Sequence, residues 1–251
     1  MARRSEPIRI RDAGMEAPVR CSSCPLRESC LPSGLPAAEV ERIEQIVSTR
    51  FRVRPSDALV RVGDPFTSVY AVRSGFLKSR EVAGDGREQV IAFHSAGDIV
   101  GLEGISREVH GCDTVALQES EVCAIAYDRL ASLAGTLPGL RNRFHKILSR
   151  EIVRKHSEML ALGSMDAKER LAHFLVALSG RLGAHGAADP DFFLPMVRAD
   201  IASYLGLTLE TVSRTLSRLA DQSLIEIDHK HVRIVDPRGL VRQVTGTEAV
   251  A

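Results

Sequence analysis

The chain has 251 residues, 44% of them hydrophobic and 26% charged, with 33 Lys+Arg against 32 Asp+Glu. There is enough apolar surface to offset the entropy of ordering, which excludes disorder over most of the chain, and no run of about 18 apolar residues offers a membrane span. The near-neutral balance excludes bulk charge as the basis of nucleic-acid binding, and a 4% aromatic content without Trp argues against a stacking platform for single strands. Of the 33 basic residues 28 are Arg, a compositional bias that carries no functional weight by itself.

Residues 1–20 are charged, lack a sustained hydrophobic period and are expected to be mobile. The first 18 have no apolar core, so no secretory leader is expected and a cytoplasmic location is the default. Cys21, Cys24 and Cys30 follow with the spacing C-x2-C-x5-C. Disulfides are unexpected in a cytosolic chain of this size. The alternatives are incidental buried thiols or a metal loop, and the tight spacing favours ligation. Thiolates suit zinc and iron–sulfur clusters alike, and both normally take four ligands. The fourth has to come from Cys112 or Cys123. Spacing alone fixes neither the metal nor that fourth ligand.

Val40, Ile43, Ile46 and Val47 fall at helical spacing, which predicts a short helix over 36–47. From 51 to 127 the apolar runs are short and rich in β-branched and aromatic residues. Val69-Tyr70-Ala71-Val72 and Val90-Ile91-Ala92-Phe93 are examples, and turn pairs such as Gly63-Asp64, Ser74-Gly75 and Gly97-Asp98 punctuate them. That pattern predicts an antiparallel β-roll.

Residues 137–162 form one long predicted helix with Pro138 in its first turn. Leu140, Phe144 and Ile147 mark one stripe near its start. Leu148, Ile152, Lys155, Met159 and Leu162 mark another with 4-3-4-3 spacing, the signature of a short coiled-coil seam between two subunits. A helix packed on its own domain is the alternative. Two lysines facing each other at 155 would weaken the dimer. The expected organisation is an α+β chain: an N-terminal segment with the Cys loop (1–35), the β-roll (36–136), the dimerisation helix (137–162) and a C-terminal domain (163–251).

That last domain opens with an amphipathic helix over 167–181, carrying Leu171, Phe174, Leu175 and Leu178 on one face. A small, polar connection over 184–190 follows. Over 198–219, Ile201, Ala202 and Leu205 give a short helix, and Gly206 stands where a tight helix–helix turn needs positive φ. Thr208 is a good N-cap, and Leu207 and Val212 are spaced as a hydrophobic staple. Val212, Leu216 and Leu219 face inward; Glu210, Ser213, Arg214 and Ser217 share the opposite face. This predicts a helix-turn-helix with polar readers for the major groove of double-stranded DNA, an ordinary helical hairpin being the weaker alternative. Leu224-Ile-Glu-Ile and Val232-Arg-Ile-Val, around a turn with His229 and Lys230, predict the hairpin of a winged helix-turn-helix. Over 196–235 five basic residues meet five acidic ones, so binding rests on directed contacts and dimerisation.

The order of parts, a cyclic-nucleotide-binding-like β-roll, a long helix and a C-terminal helix-turn-helix, resembles the cAMP receptor/FNR superfamily of bacterial transcription regulators. Phe93-His-x-Ala-Gly-Asp-Ile-Val-Gly, Arg73-Ser-Gly and Ala167-x-Glu-Arg-Leu-Ala carry the resemblance, which spans about residues 20–245. Within the superfamily, C-x2-C-x5-C ahead of the roll is similar to the FNR (fumarate and nitrate reduction) type. That resemblance implies a [4Fe-4S] cluster on Cys21, Cys24, Cys30 and Cys123, with Glu119-Ser-x-Val-Cys123 matching the stretch of the fourth ligand. It implies conversion to [2Fe-2S] by oxygen, with weakening of the homodimer. Glu210-Thr-Val-Ser213-Arg214 matches the type's Glu-x-x-Ser-Arg reader pattern and implies an inverted repeat like TTGAT-N4-ATCAA, with RNA polymerase as a partner. The chain departs from the type in carrying Lys155 where an acidic residue is frequent, and Ser29 where a bulky apolar residue is.

A cyclic-nucleotide pocket of this superfamily needs a Gly-Glu pair and an Arg-Ser/Thr pair. Here the corresponding stretches read Gly101-Leu102-Glu103 and His110-Gly111-Cys112-Asp113, with no Arg and with an Asp that would repel phosphate; no cyclic nucleotide is expected. Two rivals remain: the same regulator stabilised by zinc, and an iron–sulfur redox protein. Against the second, there is no G-x-G-x-x-G loop and no catalytic triad, and His94, His145 and His173 are isolated.

Overall fold

Strand side chains alternate between two faces, and in one sheet of this chain both faces give apolar residues to a core. A computed structural model describes residues 20–84, 86–183 and 188–245. The mobility expected of residues 1–20 therefore lies, but for Arg20, outside the described residues. The chain divides into two compact units, Met1–Ile152 and Val153–Ala251.

In the first unit α1 (Ala37–Glu44) leads into β1 (Val47–Val53), β2 (Ala58–Val60), β3 (Ser68–Ser74), β4 (Phe76–Val82), β5 (Glu88–Ser95), β6 (Ile99–Val100), a 3-10 turn over Leu102–Ser106, β7 (Asp113–Ala116) and β8 (Ser120–Ala126). These strands make two antiparallel sheets, ordered β1-β8-β3-β6 and β2-β7-β4-β5. The inner face of the first sheet gives Phe51, Val53, Tyr70, Val72, Val122 and Ala124 to a core shared with Val60, Leu77 and Ala116 of the second. Its outer face gives Val69, Ala71, Ile99 and Ile125 to a different core, completed by Leu31, Leu35, Val40 and Ile43. Strand β8 is thus divided residue by residue: Val122 and Ala124 enter the roll, whereas Cys123 and Ile125 face the segment that precedes it.

Two helices follow the roll. The helix α2 (Tyr127–Thr136) leaves no trace in the sequence, because its single deeply buried residue, Leu130, marks no stripe. The long helix α3 (Pro138–Ser164) starts one residue later and ends two residues later than expected. At about 1.5 Å per residue it is about 40 Å long. Leu140 and Ile147 join Leu130 in the outer core.

The second unit contains α4 (Ala167–Leu182), β9 (Asp191–Phe193), α5 (Arg198–Leu205), α6 (Leu209–Asp221), β10 (Ile225–Asp228), β11 (His231–Ile234) and α7 (Pro237–Thr245). Asp166 caps α4, accepting from the Lys168 and Glu169 N–H groups at 2.7 and 2.9 Å, while Glu169 accepts from the Asp166 N–H at 2.7 Å. This capping box fixes where the unit's first whole helix begins. The predicted hairpin is β10–β11, and it gains a third strand, in the order β10-β11-β9. A three-residue strand gives no period to detect, so the sequence does not announce β9. Of the connection expected over 184–190, residues 184–187 lie outside the described residues.

Gly75, between β3 and β4, has φ +89°, and a Cβ placed on it would stand 2.6 Å from the Glu119 carbonyl oxygen. Both strain and overlap oppose a side chain there. Gly75→Ala is expected to lower unfolding stability by about 2–4 kcal/mol. Urea unfolding checks this; an unchanged midpoint would reject the close approach of the two turns.

Candidate functional site

The Cys loop is wound into consecutive tight turns. Cys24 donates to the Cys21 carbonyl at 3.2 Å, Arg27 to Cys24 at 3.0 Å, and Cys30 to Leu26 at 2.9 Å. Its exit is anchored by buried Leu31 and Leu35. Two charged side chains hold its backbone. The Glu44 carboxylate, at the end of α1, accepts from the Ser22 N–H at 2.7 Å. The Arg143 guanidinium, on α3, donates to the carbonyls of Ser29 at 3.1 Å and Cys30 at 2.8 Å. Neither residue stands out in the sequence, since each is recognisable only through the backbone it meets.

Cys21, Cys24, Cys30 and Cys123 line one cavity of about 170 Å³ between this loop and the outer face of β8. Cys123 lies between Arg50 of β1 and Ala71 of β3 in the sheet register. Cys112 is elsewhere: it is buried, with its thiol against Ser79 and Thr114. Among the described residues no three His, Cys, Asp or Glu side chains converge closely enough to hold one metal ion. A single zinc, at about 2.3 Å from each sulfur, needs its four sulfurs within about 4 Å of one another. Four thiols lining one cavity make up the ligand number that zinc and an iron–sulfur cluster both take.

Burial pushes the Cys21 thiol up to about 12 and the Cys30 and Cys123 thiols up to about 11, with neighbouring thiols adding to the shift at Cys21 and Cys123. Guanidinium groups oppose this. Arg73 is shared between Glu121 and the Cys24 sulfur, and Arg143 favours a thiolate at Cys30. Glu121 also takes Arg50 at 3.0 Å, so the cations beside the thiols are themselves held in place.

In the roll, exposed Glu103 is paired with buried His110 at 3.0 Å. The stretch 110–113 brings no Arg, as expected, but an Arg does stand beside it. Arg80, from β4, lies opposite Asp113 in the sheet and reaches its carboxylate at 3.4 Å and that of Glu88 at 2.6 Å. Sequence reasoning missed Arg80 because strand register brings it there. Ser79 Oγ meets His94 Nε2 at 2.8 Å and Thr114 Oγ1 at 2.7 Å, filling the same interior with polar side chains.

On α3, Leu140 and Ile147 are buried against the roll and Phe144 packs beside them. The other stripe is uncovered: Leu148 is half-buried, while Ile152, Met159 and Leu162 are 57%, 70% and 41% exposed. Exposed Val153 and Leu160 widen it. Lys155 is not a bare charge on this stripe, because its ammonium pairs with Glu158 at 2.7 Å. Glu158 in turn interacts with half-buried Tyr204 of α5.

Gly206 has φ +63° and ends α5 in the left-handed conformation that the turn requires. Thr208 Oγ1 accepts from the Thr211 N–H at 3.1 Å and starts α6. Val212, Leu216 and Leu219 are buried beneath α6. Glu210, Arg214 and Ser217 point outward, and Glu210 and Arg214 approach at 3.9 Å. Ser213 is half-buried and accepts from Arg198 of α5 at 3.4 Å, so its hydroxyl is less free than the helical wheel implies. In the wing, His229 (φ +52°) and Lys230 make the two-residue turn between paired Asp228 and His231.

Residues 50–136 match the model of the cyclic nucleotide-binding domain, and residues 169–243 match that of the Crp-like helix-turn-helix domain. The transcriptional regulatory protein btr of Bordetella pertussis is 42% identical over 91% of this chain and 94% of its own. The fumarate and nitrate reduction regulatory protein of Vibrio cholerae is 37% identical over 87% of each. Among solved structures, FixK2 from Bradyrhizobium japonicum superimposes with a TM-score of 0.72 at 32% identity, covering 81% of this chain and 98% of that one. A roll, a long helix, a winged helix-turn-helix and relatives of this similarity over nearly the whole length identify the chain as a member of the CRP/FNR superfamily of DNA-binding transcription regulators, of the FNR type, and not as an enzyme.

Proposed function

We propose that this regulator is an oxygen-responsive homodimer whose sensor is a [4Fe-4S] cluster held by Cys21, Cys24, Cys30 and Cys123. The observation that carries this reading is the convergence of three loop thiols and one strand thiol on a single cavity. When bound, the cluster supplies oxygen-labile bonds between the loop and β8. The chain's own residues do the rest. Glu44 and Arg143 hold the loop backbone, Leu31 and Leu35 fix its exit, and the outer core joins it to α3.

The uncovered stripe Leu148, Ile152, Lys155, Met159 and Leu162 supports a helix pair with a second copy. A loss of about 3 kcal/mol in dimer stability lowers occupancy of a two-half-site operator by roughly a hundredfold, so a modest change at the loop suffices as a switch. The pairing of Glu103 with His110, and of Arg80 with Asp113, supports the absence of a cyclic nucleotide from this pathway. Control of anaerobic or microaerobic genes from a cytoplasmic location, through RNA polymerase at an inverted repeat like TTGAT-N4-ATCAA, completes the proposal.

Metal analysis of anaerobically purified protein tests it. About four iron and four sulfide per subunit are expected, with a brown chromophore that bleaches in air. Cys21→Ser, Cys24→Ser, Cys30→Ser and Cys123→Ser should each abolish it, and Cys112→Ser should leave it intact. Stoichiometric zinc without sulfide would reject the cluster in favour of a fixed structural metal.

For the seam, Lys155→Leu is expected to stabilise the dimer and make DNA binding partly independent of the cluster. Pairing with Glu158 limits the gain to about 1 kcal/mol per subunit. Sedimentation under air is the check: a variant as monomeric as the parent removes Lys155 from the seam.

For the readers, Arg214→Ala should cost about 1–3 kcal/mol per half-site and relax selectivity at the guanine of TTGAT. Glu210→Ala should loosen specificity more than it lowers non-specific binding, because a carboxylate near phosphates is favourable only when it meets a base donor. Ser213, held by Arg198, should have the smallest effect of the three. Binding to single-base variants of the repeat reads all of this out. Uniform weakening by Arg214→Ala, with the guanine preference intact, would make it a backbone contact.

A further inference from the structure

Arg143 occupies an unusual place. It lies on the roll-facing side of α3, one turn from Leu140 and one from Ile147, and all three side chains are buried. Arg143 as a whole is only 8% exposed. Its bonds run to main-chain carbonyls of the Cys loop: Nη2 to Ser29 at 3.1 Å and to Cys30 at 2.8 Å, and Nε to Cys30 at 3.3 Å. Arg150 on the same helix repels it, and Glu28 and Cys30 attract it.

We infer that Arg143 is the positioning residue through which α3 responds to the state of the Cys loop; the inference rests on the proposed cluster, and its own content is the coupling. A guanidinium stays protonated and cannot shed its charge to escape a dry site. Its burial is tolerable only while well-placed acceptors face it. Those acceptors are the carbonyls of a residue proposed to ligate the cluster and of its immediate neighbour. With the Cys30 thiol held, the carbonyls are fixed and the guanidinium can stay buried. With that thiol released, the loop gives up its register, the acceptors move, and the stranded charge draws the first two turns of α3 toward water. Leu148 and Ile152 begin the uncovered stripe on the same helix, so a displacement at Arg143 is delivered at the start of the seam. Arg143 touches neither a sulfur nor a partner subunit in this account; it acts through the loop backbone.

The test uses full-length, anaerobically prepared protein, with Arg143→Met and Arg143→Lys beside the parent. Iron, sulfide and the visible spectrum report the cluster, and sedimentation of loaded and metal-free samples reports the dimer. Arg143→Met should retain the four iron and four sulfide of the parent, because all four thiols remain. Its loaded dimer should dissociate about tenfold or more readily, given the usual worth of charge-assisted hydrogen bonds. Its metal-free form should match the metal-free parent. Arg143→Lys, which keeps the charge and a donor, should recover part of the loss. A loaded Arg143→Met dimer as tight as the parent overturns the inference. So does equal weakening of loaded and metal-free forms, which marks a packing defect, or loss of the cluster in the Met variant, which makes Arg143 a support of the site and not a link from it. Should the Met variant fail to fold, hydrogen exchange of the parent decides: protection over 140–148 should be greater in the loaded form, and equal protection overturns the coupling. Parent protein without iron and sulfide defeats the cluster reading itself, and this is seen before any variant is compared.

Discussion

One constraint governs the sensor half of this protein: a single sheet must bury both of its faces, each against a different core. Along β8, Val122 and Ala124 are committed to the roll interior, so Cys123 and Ile125 are committed to the other side. A one-residue slip would exchange the two sets, burying a thiol in the roll and pushing valine and alanine against the loop. Two apolar surfaces set against slippage therefore fix the thiol's direction. The loop, α1, α2 and the first turns of α3 gather on that outer face because its side chains, Val69, Ala71 and Ile125, have nowhere else to be buried.

The loop itself has little regular structure, and its backbone groups need partners from outside. They find them in side chains of opposite sign at its two ends. A carboxylate, Glu44, takes the N–H of Ser22 at its entry, and a guanidinium, Arg143, takes carbonyls near its exit. Each comes from a different helix, so the loop backbone meets both α1 and α3. The apolar anchors Leu31 and Leu35 set the depth of the loop, and the two charges meet its backbone near either end.

Periodicity and turn chemistry made much of this legible beforehand. The long helix, the division of its early stripe from its later one, the turn glycine at 206 and the Thr208 cap all follow from local rules. These rules act over a few residues and leave a visible trace. What escaped notice was made by contacts across space. The helix α2 carries one anchoring leucine, and β9 is three residues long, so neither leaves a pattern. Arg80 comes to face Asp113 through strand register, and Ser213 is engaged by Arg198 through helix packing. Arg143 is invisible for a related reason: its partners are backbone carbonyls, which every residue possesses and none advertises.

The placement of the fourth thiol also has a consequence for the order in which the molecule is made. Cys21, Cys24 and Cys30 leave the ribosome together, but Cys123 follows about ninety residues later, roughly 5–20 s at bacterial synthesis rates. Even then it is in place only after β8 has been laid between β1 and β3, a pairing of high contact order and hence slow to form. The nascent chain therefore passes through a period in which three thiols are mutually close and the closing strand is absent. A complete cavity can exist only on a finished roll, so the sensor's assembly reports that the domain beneath it has already folded.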